Sequence, residues 1–264
     1  MRPVGYATPG KALARELLEA FCAGAGGKVV EGSVKELLPG PAAFYGVTPA
    51  TAHLWRQAKA EGRDWYYIDN AYFDKWRGTF YRVTLNALQH HGCGRSDGKR
   101  FESLGVQVMP WRSGGEHICI APQSDEFMQT CAGYKGRWVD DVHAELQRHT
   151  RRDLLLLPWS RDKREWYRRL PAALAEAHAL VTFSSASSIS AILAGVPAVV
   201  TAHDCITRAI ATQWLDEIES LERVIDDRRL WAGVVADNQW TLDEMRSTLT
   251  WRMLQNEREG IRAA

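Results

Sequence analysis

Leu180–Val200, LVTFSSASSISAILAGVPAVV, is the stretch that decides the fold. Ala179–Phe183 is a short apolar run of strand length, and Ser184-Ser185-Ala186-Ser187-Ser188 follows it. Ser187–Ala194 then reads as a helix. Gly195 suits a left-handed helix end, and Pro197 cannot prolong the helix. Ala198–Thr201 is a second apolar strand. A strand, a helix and a strand joined this closely make a βαβ unit, the building block of a parallel sheet. Small hydroxyl residues where a strand meets a helix leave backbone N–H groups open at the positive end of the helix dipole, an arrangement suited to a phosphate. An ordinary serine N-cap is the plainer alternative.

The same alternation extends on both sides of this stretch. Upstream, Arg2–Ala7, Lys28–Glu31, Ala42–Val47 and Trp65–Ile68 read as strands. Lys11–Cys22, with apolar residues at 13, 17, 18 and 21, and Thr48–Glu61 read as the helices between them. His117–Ala121 starts a second series. Val139–Arg148 is its first helix, and Asp153–Leu157 (DLLLL) a strand buried on both faces. Asp162–Ala177 is a helix that the sequence expects to break at Pro171. Residues 70–115, which hold seven glycines, read as irregular. These readings predict an α/β fold of two Rossmann-like halves facing each other across a cleft. The expected domains are 1–115, 116–225 and a helical segment 226–264 that either packs on the core or crosses back to the first half. Thr241 and Glu244 in that segment have capping-box spacing.

Composition fits a globular chain and excludes fibrous and disordered classes: 264 residues, 45% hydrophobic, 25% charged. No apolar run is long enough to span a membrane, and five cysteines without a CxxC point to reduced thiols, so a cytoplasmic protein is expected. The formal charge of +1 conceals a split, because residues 1–115 carry five more basic than acidic side chains. No DxD triplet, Walker A loop, GxGxxG after a strand, or GxSxG occurs. A metal site, a kinase, a dinucleotide oxidoreductase and a serine hydrolase are therefore not expected.

Ser190-Ala191-Ile192-Leu193-Ala194-Gly195-Val196-Pro197 resembles the E-A-x-x-x-G-x-P segment of GT-B glycosyltransferases, with Ser190 in place of the Glu that commonly binds the donor ribose. The likeness spans about 116–225 and is nearest to capsule-type sugar transferases lacking the full signature. It implies a GT-B-like fold and a nucleotide-sugar substrate, a UDP-sugar by preference, with no separate cofactor. The implied donor site comprises Gln123 and Ser124 after the first strand, Arg161 and Lys163 after the next, and Ser184, Ser185, Ser187 and Ser188; His203 and Asp204, just after the last strand, either touch the donor or form a surface loop. Arg161 and Lys163 would neutralise a diphosphate leaving group. The basic run around them also reads as one solvated helix face.

Sugar transfer with inversion needs a base for the acceptor hydroxyl. Asp69, at the end of Trp65–Asn70 (WYYIDN), has the chemistry and place for it, or else caps a turn. Asp74, Asp97, His90 and His91 are weaker choices. Residues 44–111 hold 13 of the 26 aromatics, interleaved with basic residues. That pattern suits stacking on bases or sugar rings, with Tyr72, Lys75, Trp76, Arg77, Arg82 and Arg95 as acceptor contacts; the alternative is that most of these aromatics are core. The acceptor favoured on these grounds, and by a phage-like character of the chain, is a hydroxymethylated pyrimidine in double-stranded DNA, which would place the protein in a host cytoplasm. The alternatives are a surface polysaccharide, or a nucleotide- or DNA-binding module without chemistry. A monomer and a dimer are equally compatible with the sequence.

Overall fold

Two runs of alternating strands and helices build two separate sheets. The computed structural model describes residues 1–73, 78–112, 114–160, 162–221 and 228–259, with the side chains of Lys163, Arg164 and Tyr167 outside the description. The chain forms two compact units, Met1–His90 with Val235–Ala264, and His91–Val234.

In the first unit the order is β1 (Val4–Ala7), α1 (Ala12–Gly24), β2 (Lys28–Glu31), β3 (Ala42–Tyr45), α2 (Ala52–Ala60), β4 (Trp65–Asn70) and β5 (Tyr81–Leu85). The sheet runs β2-β1-β3-β4-β5, parallel except for β5, which pairs antiparallel with β4. The strand β5 corrects the expectation of an irregular 70–115. Its Tyr-Arg-Val-Thr-Leu alternation is a strand signal outweighed by the surrounding glycines. On α1 the spacing of Leu17, Leu18 and Phe21 puts all three at 0% exposure, each contributing about 1.5–3 kcal/mol. The fourth apolar position, Leu13, is exposed.

The second unit contains α3 (Lys99–Ser103), β6 (His117–Ile120), α4 (Asp125–Thr130), α5 (Trp138–His149), β7 (Asp153–Leu156), α6 (Lys163–Ala175), β8 (Ala177–Thr182), α7 (Ser187–Leu193), β9 (Ala198–Val200) and a 3-10 turn at Leu215–Glu217. Its sheet is wholly parallel, in the order β7-β6-β8-β9. Residues 91–115, which the sequence reading grouped with the first half, lie in this unit. Met109 N–H donates to the Leu193 carbonyl at 2.8 Å and Arg112 N–H to that of Gly195 at 2.9 Å.

Two further expectations are corrected here. β7 is an edge strand, with Leu155 and Leu156 exposed, because an apolar run alone does not say which strand ends at the edge. The helix α6 continues through Pro171 without a break. Pro171 removes one backbone donor, and the rest of the helix is held by Trp166, Leu170 and Leu174 in the core beside β6 and β8.

The chain returns to the first unit through α8 (Arg228–Asp237), followed by α9 (Leu242–Arg246) and α10 (Leu249–Arg258). Met245 and Leu254 pack in the same core as α1. The approach is close: a Cβ on Gly24 would lie 1.9 Å from the Met245 carbonyl oxygen. Thr241 and Glu244 form the expected capping box. Among the described residues no helix is long and apolar enough to cross a membrane.

Candidate functional site

In open α/β sheets ligands settle outside the carboxyl ends of the strands, where the strand order reverses. In the second unit that point lies between β6 and β8. The residues following those strands are Ala121-Pro122-Gln123-Ser124 and Phe183-Ser184-Ser185.

Gln123 joins the two strand ends. Its Oε1 accepts from both the backbone N–H and the hydroxyl of Ser184, each at 3.1 Å. A backbone N–H only donates, so the amide oxygen must face Ser184. Nε2 is turned the other way and has two N–H donors with no partner among the described residues. Ser124 caps α4, accepting from Phe127 N–H at 3.1 Å. At the end of β8, Thr182 donates to the Ala121 carbonyl at 2.6 Å and accepts from Ser185 N–H at 3.3 Å.

Two of the remaining serines face inward. Ser187 and Ser188 are fully buried. The Ser188 hydroxyl donates to the Ser185 carbonyl at 2.8 Å and accepts from Thr207 at 2.9 Å. The single proton of Thr207 is thereby used, so the Cys205 thiol, 3.2 Å from Thr207 Oγ1, donates to it. Burial pushes that thiol up, against the hydrogen bonds from Thr207 and Ser188. Ser185 is half-buried, and its hydroxyl accepts from Ser187 N–H at 3.3 Å. Thr182, Cys205 and Thr207 belong to this framework and were not singled out in the sequence. A threonine closing an apolar strand was the available signal.

His203 is exposed, and its ring and carbonyl both meet Arg208 Nη1 at 3.0 Å. Asp204 is half-buried. Arg161 lies outside the described residues, as does the side chain of Lys163. Asp162 caps the start of α6, accepting from Glu165 N–H at 3.2 Å.

Gly195 ends α7 at φ +78°, as its position implied. A Cβ there would lie 2.0 Å from the Pro110 carbonyl oxygen.

In the first unit Asp69 stands opposite Arg82 in the β4–β5 register. Asp69 Oδ2 accepts from Arg82 Nη2 at 2.6 Å and from the Tyr67 hydroxyl at 3.1 Å. Oδ1 accepts from Asn70 N–H at 2.8 Å and from Asn70 Nδ2 at 3.3 Å. Four donors thus occupy the roughly four lone-pair sites of the carboxylate. Burial disfavours the charge on Arg82, but Asp69, Tyr72 and Tyr67 outweigh it and raise its pKa. The guanidinium carbon lies 5.3 Å from the Tyr72 ring centroid and 5.7 Å from that of Tyr67. The Tyr72 hydroxyl accepts from His90 N–H at 2.9 Å.

The aromatic pattern of 44–111 is mostly core, so of the two readings open for it the core holds and the stacking surface is corrected. Phe44, Trp55, Trp65, Tyr66, Tyr67, Tyr72, Phe73, Tyr81 and Phe101 are all buried. β3 and β4 are interior strands, and their aromatics fill the space between sheet and helices. Lys75, Trp76 and Arg77 lie outside the described residues, with Asp74. Arg95 is exposed and belongs to the second unit.

No protein-family model and no curated protein sequence matches the chain. Among solved structures it is similar to the beta Kdo 2,7 transferase of KpsC from Thermosulfurimonas dismutans, with TM-score 0.53 and 10% identity, over 96% of this chain and 99% of that one. A second similarity is to the beta Kdo 2,4 transferase of the same organism's KpsC, with TM-score 0.48 and 11% identity over 88% and 90%. The chain thus has an α/β fold with largely parallel sheets, similar to that of a glycosyltransferase structure.

Proposed function

We propose that this protein is a glycosyltransferase that moves a sugar from a nucleotide-sugar, a UDP-sugar by preference, to a hydroxyl of a carbohydrate acceptor. The observation that carries the reading is the polar junction of β6 and β8, where Gln123 is oriented by Ser184 and keeps two free N–H donors. The donor diphosphate would meet Gln123 Nε2, Ser185 and the basic residues Arg161 and Lys163. In this reading the sheets are two Rossmann-like halves of a GT-B arrangement. The bond from the anomeric carbon to the diphosphate oxygen breaks, and the nucleotide leaves with the electron pair. The acceptor oxygen bonds to that carbon, and its proton passes to Asp69 Oδ1, which gives up its 3.3 Å bond from Asn70 Nδ2 to take it. Inversion follows from a single displacement, and charge on the leaving group is met by basic side chains without a metal.

A carbohydrate acceptor is preferred to DNA because most of the aromatics that suggested base stacking are core. The fold neighbour, itself named a Kdo transferase, points the same way.

Thermal-shift screening with UDP, GDP, CMP and ADP and their sugars tests the donor, since a ligand that binds the native state raises the melting temperature. One nucleotide family should shift it. Transfer from that donor to oligosaccharides should then exceed transfer to hydroxymethylated duplex DNA. Nucleotide binding without turnover on any acceptor would favour a binding module, and no shift at all would remove the donor site.

A further inference from the structure

A groove of about 370 Å³ lies on the second unit at the amino end of β7. This is the end of the sheet opposite to Gln123 and Ser184, because β7 and β6 run parallel. Four residues of strand, at about 3.3 Å each, separate the two ends. The helix α5 contributes His143 and Gln147, which four-residue spacing puts on one face. The turn after it contributes Thr150, Arg151 and Arg152, and β7 contributes Asp153 and Leu154.

Two of these side chains are already committed. Arg152 Nε lies 3.1 Å from each carboxylate oxygen of Glu219, and Thr150 donates to Oε1 of the same group. His143, Gln147, Arg151 and Asp153 have no side-chain hydrogen bond among the described residues. They offer an imidazole, an amide, a guanidinium and a carboxylate.

This mixture narrows the ligand. An anion would face Asp153 and the negative carboxyl-terminal end of α5. A cation would face Arg151 and Arg152. A lipid or a peptide anchor would need apolar lining, and Leu154 alone supplies it. A neutral polyhydroxyl compound fits, because each hydroxyl both donates and accepts. The volume lies within the range of small-ligand sites. We infer that this groove is a carbohydrate-binding site, separate from the proposed donor site, which holds a neutral stretch of glycan.

Native electrophoresis in gels containing laminarin, galactomannan, dextran or polygalacturonate tests this on the full chain. At least one neutral polysaccharide should retard the wild-type protein. The double variant Gln147→Ala/Arg151→Ala should bind it at least about fivefold more weakly, equivalent to about 1 kcal/mol. Both side chains are exposed, so its melting temperature and its thermal shift with nucleotides should match wild type. Retardation by no neutral polysaccharide, equal retardation of the variant, or binding confined to polygalacturonate would each overturn the proposal.

Discussion

Gln123 Oε1 binds both the N–H and the hydroxyl of Ser184, and so ties the ends of β6 and β8 together across the reversal in strand order. One amide thereby fixes two features of the site: the separation of the strand ends, and the direction in which Nε2 points.

Replacing Gln123 separates these effects. Gln123→Ala leaves the Ser184 N–H without its acceptor and should cost about 1–2 kcal/mol in urea unfolding. Gln123→Glu keeps an acceptor for Ser184, loses the Nε2 donors and adds a negative charge. Its stability should stay within about 1 kcal/mol of wild type, while the thermal shift with a nucleotide diphosphate disappears. A Glu variant that still responds to the nucleotide would remove Gln123 from the donor site.

The pairing of Asp69 with Arg82 yields a second prediction. Asp69→Asn leaves a guanidinium only 11% exposed without its counter-charge. The loss should be about 1–3 kcal/mol, less than for a fully buried pair because Asp69 is 27% exposed. Adding Arg82→Met should recover much of it, since the desolvated charge is then gone. Transfer should be lost in both variants, as a base requires the carboxylate. Full turnover by Asp69→Asn would leave Asp69 a purely structural partner of Arg82.

Gly195 connects sequence and packing. Its left-handed turn was legible from the Gly-Val-Pro pattern, but the carbonyl of Pro110 pressed against it was not, because residues so far apart meet only in the fold. Gly195→Ala should destabilise by at least about 2 kcal/mol, from positive φ and the backbone clash together. Gly62, at φ +61° with nothing within 4 Å of a Cβ, is the control. Gly62→Ala should cost about 1 kcal/mol. Equal losses at both positions would mean that 109–112 does not sit against α7.

The parallel strands and most long helices were legible for similar local reasons: apolar runs of strand length, 3.6-residue spacing, and turns marked by Gly and Pro. β5 was not, since its alternation is short and glycines surround it. The edge position of β7 was not, because DLLLL reads as doubly buried wherever the sheet order places it. At the site, Ser184 and Gln123 were legible as residues but not as partners. The inward turn of Ser187 and Ser188 depends on Thr207, nineteen residues beyond Ser188. The aromatics of 44–111 misled because composition cannot separate a core from a stacking surface.

Glu219 gives a pH prediction. Burial pushes its carboxyl up, but the Thr150 hydroxyl and Arg152 guanidinium prevail and hold it below its ordinary 4.5. A depressed carboxyl stabilises the fold above its unfolded value and ceases to do so as pH falls through the folded value. Wild type should therefore exceed Glu219→Gln in urea stability at pH 7, and the gap should close below about pH 4.5. The gap should be modest, since the side chain is 41% exposed. A gap unchanged from pH 7 to pH 3.5 would show that the charge on Glu219 contributes nothing.

The cysteines report on the two cores independently. Burial pushes Cys22 and Cys119 up to about 12, with a smaller opposing effect at Cys22 from the Gly5 backbone, and raises Cys205 as well. At pH 8 a thiol at about 12 is ionised in about one molecule in ten thousand, and the thiolate is the nucleophile. Cys93 is exposed and Cys131 half-buried. Iodoacetamide at pH 8 should therefore label Cys93 first and Cys131 more slowly. Cys22, Cys119 and Cys205 should react only after denaturation. Peptide mass spectrometry over a labelling time course reads all five positions. Cys119 lies in β6, between β7 and β8, so its labelling at the rate of Cys93 in the native protein would contradict an interior β6 and, with it, the placing of Gln123 at the strand reversal.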